Sequence, residues 1–291
     1  MDLRRACDHA CPITARPVIA CWIILGTLLA LSTPVAWGGN PSYTVDSIVN
    51  TATQTPNYLA PNGLATIYGT ELALDTSSVS AYSQTAGSLP TSMHGVSVVM
   101  GGLIAGLIYV SPTQINFVVP YELAQGTFTI FVGRNSLAGP LLKVQVYTAA
   151  PAFFTWRGNL GIAVHLDGSL ISPEKPAKAG EIVILFVTGL GRVSPDTGSS
   201  RIANVPVSLY PTAQLQVVLG GIPVPAPNIL YAGLAPNYAG LYQVNVRLPT
   251  VLPVASDVRV VAYGQNSPGP VILPLDVPAP PPVQIAADIP K

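Results

Sequence analysis

Four segments of this chain occur twice and in the same order. Val98-Val99-Met100-Gly101-Gly102 returns as Val217-Val218-Leu219-Gly220-Gly221 after 119 residues, and Gln114-Ile115-Asn116-Phe117-Val118-Val119-Pro120 returns as Gln243-Val244-Asn245-Val246-Arg247-Leu248-Pro249 after 129. Gly133-Arg134-Asn135-Ser136 pairs with Gly264-Gln265-Asn266-Ser267 after 131 residues. Ile67-Tyr68-Gly69-Thr70-Glu71-Leu72 pairs more loosely with Leu185-Phe186-Val187-Thr188-Gly189-Leu190 after 118. A period this long belongs to a duplicated domain rather than a solenoid, and the growing offset places extra loop residues in the second copy.

Within each copy the apolar residues follow strand rules. Tyr242, Val244, Val246 and Leu248 alternate with Gln243, Asn245 and Arg247, which buries one face and wets the other, and Pro249 then ends the pairing. Comparable runs are Ala65 to Tyr68, Val96 to Met100, Phe128 to Val132 and Leu141 to Val146 in the first copy. The second copy has Ile182 to Val187, Leu215 to Leu219, Val258 to Tyr263 and Val271 to Val277. Gly101-Gly102 and Gly220-Gly221 sit where two residues able to take positive φ close a hairpin, and Asp167-Gly168 repeats that signal. Pro and Gly together make 56 of 291 residues and charged residues only 9%, a composition that excludes a helical bundle. The hydrophobic share of 49% excludes disorder. The expected fold is all-β, with two tandem immunoglobulin-like β-sandwiches over residues 43–147 and 148–277. A Pro-rich tail, 278–291, should be extended and mobile.

The first 38 residues read as a secretory signal peptide. Arg4, Arg5 and Arg16 precede an uncharged run from Val18 to Leu31, which is followed by small residues around Ala36. The run is short for a membrane span, so cleavage between Ala36 and Gly39 is favoured over retention as an anchor. Cys7, Cys11 and Cys21 are the three cysteines and all lie in this leader, so the mature chain would have no disulfide or thiol chemistry. Removing three basic and two acidic residues from 13 of each leaves 10 against 11, no electrostatic footprint for nucleic acid. The expected location is secreted, periplasmic or at the cell envelope, with no membrane span after cleavage.

Several motifs together resemble one family. They are Val49-Asn50, Ala60-Pro61-Asn62-Gly63, Ile67 to Leu72, Leu89-Pro90-Thr91, Tyr109 to Phe117, Asp167 to Leu170, Thr188-Gly189-Leu190-Gly191, and Ala232 to Pro236 with Gly240 to Asn245. Over roughly Tyr43 to Val277 the chain is similar to the uncharacterised C-terminal domain family of Solibacter-type acidobacteria. That resemblance implies paired immunoglobulin-like domains of the IPT/TIG kind on exported proteins. It implies no catalytic residue, because the family has no assigned activity.

The residues offer little chemistry. His94 and His165 lie at non-equivalent positions of the repeat, no motif places a serine, a histidine and an acid together, and no run of alternating acids makes a calcium loop. No catalytic residue, cofactor or metal site is therefore assigned, although a single Ca²⁺ held by backbone carbonyls stays open. Substituting either histidine is expected to leave folding nearly unchanged. Gln114, Asn116, Gln243 and Asn245 admit two readings, an amide row for a ligand or a structural pin, and their recurrence in both copies favours the pin. Tyr58, Tyr82 and Tyr238 fall in loops, where rings can meet a partner or plug the end of a sandwich. The favoured function is a non-catalytic binding or adhesion module with an unknown protein or glycan partner. A glycan-active enzyme and a spacer that assembles through strand edges are the alternatives.

Overall fold

The computed structural model describes residues 38–79, 87–196, 198, 200–210 and 214–277. The expected cleavage region up to Trp37, Tyr82 and the tail at 278–291 lie outside the described residues. From Gly38 to Val277 the described residues form one compact unit containing two β-sandwiches, with no α-helix among them.

The first sandwich begins with β1 (Ile48–Asn50), β2 (Leu64–Tyr68), β3 (Ser77–Ser78), β4 (Val96–Met100) and β5 (Leu103–Ile104). It continues with β6 (Gly106–Val110), β7 (Gln114–Val118), β8 (Gly126–Arg134), β9 (Leu137–Ala138) and β10 (Leu142–Val146). One sheet has the order β1-β2-β7-β6-β3; the other is β10-β8-β4-β5, with β9 paired to β8. Alternation decides which side chains enter the core. Ala65 and Ile67 of β2 and Ile115 and Phe117 of β7 point inward against Val98, Met100, Ile130 and Val132 of the opposite sheet.

The second sandwich starts with β11 (Ala152–Phe153), β12 (Thr155–Trp156), β13 (Leu160–Gly161), β14 (Ala163–His165) and β15 (Ile182–Thr188). Next come β16 (Val193–Ser194), β17 (Val207–Leu209), β18 (Leu215–Leu219), β19 (Ile222–Pro223) and β20 (Ile229–Leu234). The last are β21 (Tyr242–Arg247), β22 (Asp257–Ala262), β23 (Gln265–Asn266) and β24 (Val271–Ile272). The path β11-β15-β21-β20-β17-β16 faces β12-β13-β24-β22-β18-β19, with Leu185, Val187, Tyr242 and Val244 packed against Val217, Leu219 and Val260. The run expected from Val271 to Val277 stops at Ile272. Pro274 has no amide to donate, and Leu275 makes a single bridge to Ala177 instead.

Pairing registers define the repeat. Tyr68 faces Gln114 as Phe186 faces Gln243, and Val98 faces Val132 as Val217 faces Val260. The second relation corrects one offset: Val132 to Val260 is 128 residues, so the hairpin turn Asn135-Ser136 corresponds to Tyr263-Gly264 and not to Asn266-Ser267. Gly101 and Gly102 have φ of +59° and +81°, and Gly220 and Gly221 have +57° and +77°, so both Gly-Gly pairs close hairpins through positive φ. Two strands outside the expected set, β6 and β20, also correspond. Each carries an irregularity at the same place, leaving Ile108 and Leu230 as the extra residues opposite β7 and β21.

The offset grows mainly at one connection. Three residues, 111–113, join β6 to β7, whereas seven, 235–241, join β20 to β21. The longer connection docks the second sandwich on the first. A Cβ on Gly240 would lie 2.7 Å from Leu64 Cγ, so only glycine permits that approach. Leu64 N–H donates to Thr188 Oγ1 at 2.9 Å, and that hydroxyl donates to Gly240 O at 2.7 Å. Asn50, buried, donates from Nδ2 to Ala150 O at 3.3 Å, and Leu89, Val118 and Ile202 form a small apolar cluster across the junction. At the other end of the first sandwich the guanidinium of Arg134, with 2% of its side chain exposed, donates to Glu71 O, Glu71 Oε2 and Gly39 O at 2.7, 3.0 and 2.7 Å. It fastens the first described residues to the sandwich.

Candidate functional site

The outer face of the β1-β2-β7-β6-β3 sheet divides into two parts. At its junction end, Leu64, Ile108 and Val79 meet Leu89 and the docking loop's Tyr238, Ala239 and Leu241 around a cleft of about 210 Å³. Farther along β2 and β7 the face is polar. Thr66, Asn116, Tyr109 and Ser78 occupy successive strands in one row, and Tyr68 faces Gln114 in the next. From Leu64 to Tyr68 is about 13 Å at the rise of an extended strand.

The hydrogen bonds fix the amides and leave part of each one open. Gln114 Nε2 donates to Asn116 Oδ1 at 2.8 Å, and Thr66 Oγ1 donates to the same oxygen at 3.1 Å. With its proton so used, Thr66 accepts from Thr51 Oγ1 at 3.0 Å. The remaining amide atoms, Gln114 Oε1 and Asn116 Nδ2, have no protein partner among the described residues. Gln243 Nε2 reaches Asn245 Oδ1 at 3.4 Å in the second copy, but Ile184 stands where Thr66 does, so the hydroxyl relay is missing. The four repeated amides thus form two bonded pairs, one in each copy, and are not brought together.

The tyrosines separate by environment. Tyr58 is half-buried at the junction, its ring 5.9 Å from that of Tyr147 and its hydroxyl donating to Asn266 O at 3.1 Å. Burial and the neighbouring Tyr147 push its phenol up to about 12. Tyr231, the counterpart of Tyr109, donates to Leu234 O at 2.8 Å and to Val207 O at 3.2 Å. Tyr68, Tyr109 and Tyr238 make no such bonds among the described residues, and Tyr238 is 57% exposed at the rim of the cleft. Sequence reasoning found Tyr238 and the amides but passed over Tyr68 and Tyr109. Their pairing with Gln114 and Asn116 depends on strand register.

A second hollow, of about 540 Å³, is lined by His165, Asp167, Glu174, Lys175, Lys178 and Glu181. Its charges are largely matched. Lys175 Nζ is 3.1 Å from Asp167 Oδ2, and Arg157, outside the hollow, is 3.3 Å from Glu174 Oε1. His165 is buried, with Nδ1 bonded to Glu181 and Nε2 3.2 Å from Lys175 O. These two bonds bear against the expectation that replacing His165 leaves folding nearly unchanged, since they tie a buried ring to Glu181 and to the Lys175 carbonyl. Burial alone would raise the Glu181 carboxyl, but the Lys178 amide and His165 hydrogen-bond to it and hold it below the ordinary value. His94 lies in a positive-φ turn, exposed, with Nδ1 2.8 Å from Asp75 Oδ1. Among the described residues no group of three His, Cys, Asp or Glu side chains is placed to hold a metal ion.

No protein-family model matches the chain, and no curated protein matches it in sequence. Among solved structures it is similar to the full extracellular region of plexin A4, at 13% identity and a TM-score of 0.30 over 88% of this chain and 20% of that one. The SGBP-B protein of the mixed-linkage glucan utilization locus of Bacteroides ovatus, in complex with a mixed-linkage heptasaccharide, gives 13% identity and a TM-score of 0.28 over 79% and 41% of the two chains. SGBP-B from a complex xyloglucan utilization locus in Bacteroides uniformis gives 10%, 0.25, and 81% and 50%. The chain spans half or less of the length of each. No helix among the described residues is long and apolar enough to cross a membrane.

Proposed function

We propose that this chain is an exported, non-catalytic binding module that holds a partner of the cell envelope or surface on the outer face of its first sheet, beside the domain junction. The observation that carries this reading is the open part of that face. Among the described residues no hydrogen bond ties down the hydroxyls of Tyr68, Tyr109 and Tyr238, while Tyr231, the counterpart of Tyr109, is tied down in the second copy. Rings with an apolar body and an unspent polar tip are the usual anchors of recognition surfaces. The order of basic, apolar and small residues at the N-terminus supports export, and the resemblance to the Solibacter-type family of paired domains on exported proteins fits the same reading.

The test is binding of the purified exported protein to isolated cell envelopes. Tyr109→Ala and Tyr238→Ala should each weaken it by about fivefold or more without lowering the unfolding midpoint. Unchanged binding in both variants would remove the function from this face. Glycoside turnover lost on Glu181→Gln would instead place an active site in the charged hollow.

A further inference from the structure

We infer that the face built by Tyr68, Gln114, Asn116 and Tyr109, continued by Tyr238 into the junction cleft, is a site for a neutral polysaccharide chain. This rests on the binding reading above and specifies its ligand. The first observation is the charge of the surface. None of the five strands of the sheet, Ile48–Asn50, Leu64–Tyr68, Ser77–Ser78, Gly106–Val110 and Gln114–Val118, contains an Asp, Glu, Lys or Arg. A phosphate-bearing or polyanionic ligand would find no cation on these strands, and a cationic one no carboxylate.

The second observation is the distribution of polar atoms. The bond from Gln114 to Asn116 holds both amides in fixed orientation and leaves an acceptor, Gln114 Oε1, beside donors on Asn116 Nδ2. Adjacent donors and acceptors fixed in advance suit the hydroxyls of a sugar, each of which both donates and accepts. Tyr68, exposed, and Tyr109, partly exposed, bring two aromatic rings with polar tips to this face, the kind of side chain on which the C–H face of a sugar can pack. A stable protein interface buries about 1,000 Å² or more in total around a desolvated apolar core. The apolar part of this face is confined to the one cleft at its junction end. The third observation is extent: about 13 Å separates Leu64 at the cleft from Tyr68, a length that fits several linked sugars rather than one.

Affinity electrophoresis of the exported protein tests this, in gels containing barley β-glucan, xylan, galactomannan or hydroxyethylcellulose, with polygalacturonate as the anionic control. At least one neutral polymer should retard the protein, and polygalacturonate should not. Tyr109→Ala and Tyr68→Ala should each reduce the retardation about fivefold or more, and Asn116→Ala should do the same if it keeps the wild-type unfolding midpoint. Tyr58→Phe should leave retardation unchanged. Retardation by no neutral polymer, by polygalacturonate alone, or to an equal degree in Tyr109→Ala overturns the proposal. If the neutral polymers fail while Tyr109→Ala still weakens envelope binding, the polysaccharide proposal falls and the binding reading survives without it. If neither assay responds to substitutions on this face, both fall.

Discussion

The hydroxyl of Thr188, in the second sandwich, accepts the Leu64 amide of the first at 2.9 Å and donates to Gly240 O at 2.7 Å. One side chain thus satisfies two backbone groups of the junction, one of them at the start of the strand that carries the candidate face. Thr188→Val preserves shape and removes both bonds. It should destabilise the protein by about 1–3 kcal/mol, seen as a lower urea midpoint. Thr188→Ser, which keeps the hydroxyl and loses one buried methyl, should cost about 1 kcal/mol.

Gly189 and Gly168 have similar backbone angles, φ +74° and +80°, but different surroundings. A Cβ at Gly189 would lie 2.1 Å from Ala150 O, whereas nothing lies within 4 Å of one at Gly168. Gly168→Ala should therefore show only left-handed strain, about 1–2 kcal/mol. Gly189→Ala should lose about 3 kcal/mol or more and disturb the junction. Thermal unfolding of the two variants side by side checks the contrast, and equal losses would mean that the junction backbone gives way easily.

Arg134 gathers three acceptors around a buried guanidinium. Arg134→Met should cost about 1–3 kcal/mol, because the carbonyls of Glu71 and Gly39 lose their donor. Arg134→Lys should not rescue it, since an ammonium cannot reproduce the planar fork. Amide exchange at residues 39–42 should accelerate in both variants before the core responds.

The depressed Glu181 carboxyl sets a pH dependence. Its folded value lies below the ordinary 4.5, so its contribution to stability is complete above that value and is lost as pH falls through the folded one. Urea midpoints measured from pH 7 down to pH 3 should fall, and Glu181→Gln should flatten the fall by removing that share. A wild-type slope in Glu181→Gln would show that other carboxylates account for the acid sensitivity.

Much of the scaffold was legible in the sequence because period two is a direct record of which face is buried. β4 and β21 could be read from Val96 to Met100 and from Tyr242 to Arg247 for that reason, and the Gly-Gly hairpins from the need for two positive φ angles. β6 and β20 escaped because Ile108 and Leu230 insert an extra residue and break the alternation, while Gly106 and Gly233 dilute the apolar run. The candidate face was only half visible. Tyr58 and Tyr238 look alike as loop tyrosines, and they differ in whether the other sandwich covers them, a tertiary fact that no local pattern records. The offset of Gly133-Arg134 was misplaced by three residues because a short Asn-Ser identity outweighed strand register.

The seven-residue connection at 235–241 makes the two halves unequal. The first sandwich offers a socket of Leu64, Ile108 and Val118; only the second has grown the latch that closes it. At the matching positions of the second sandwich stand Ile182, Leu230 and Arg247, so a further unit seated in the same way would have to bury a guanidinium, at a cost of several kcal/mol unless it were paired. Duplication has therefore given a matched pair whose members are no longer interchangeable, and with their order along the chain exchanged neither would meet its complement.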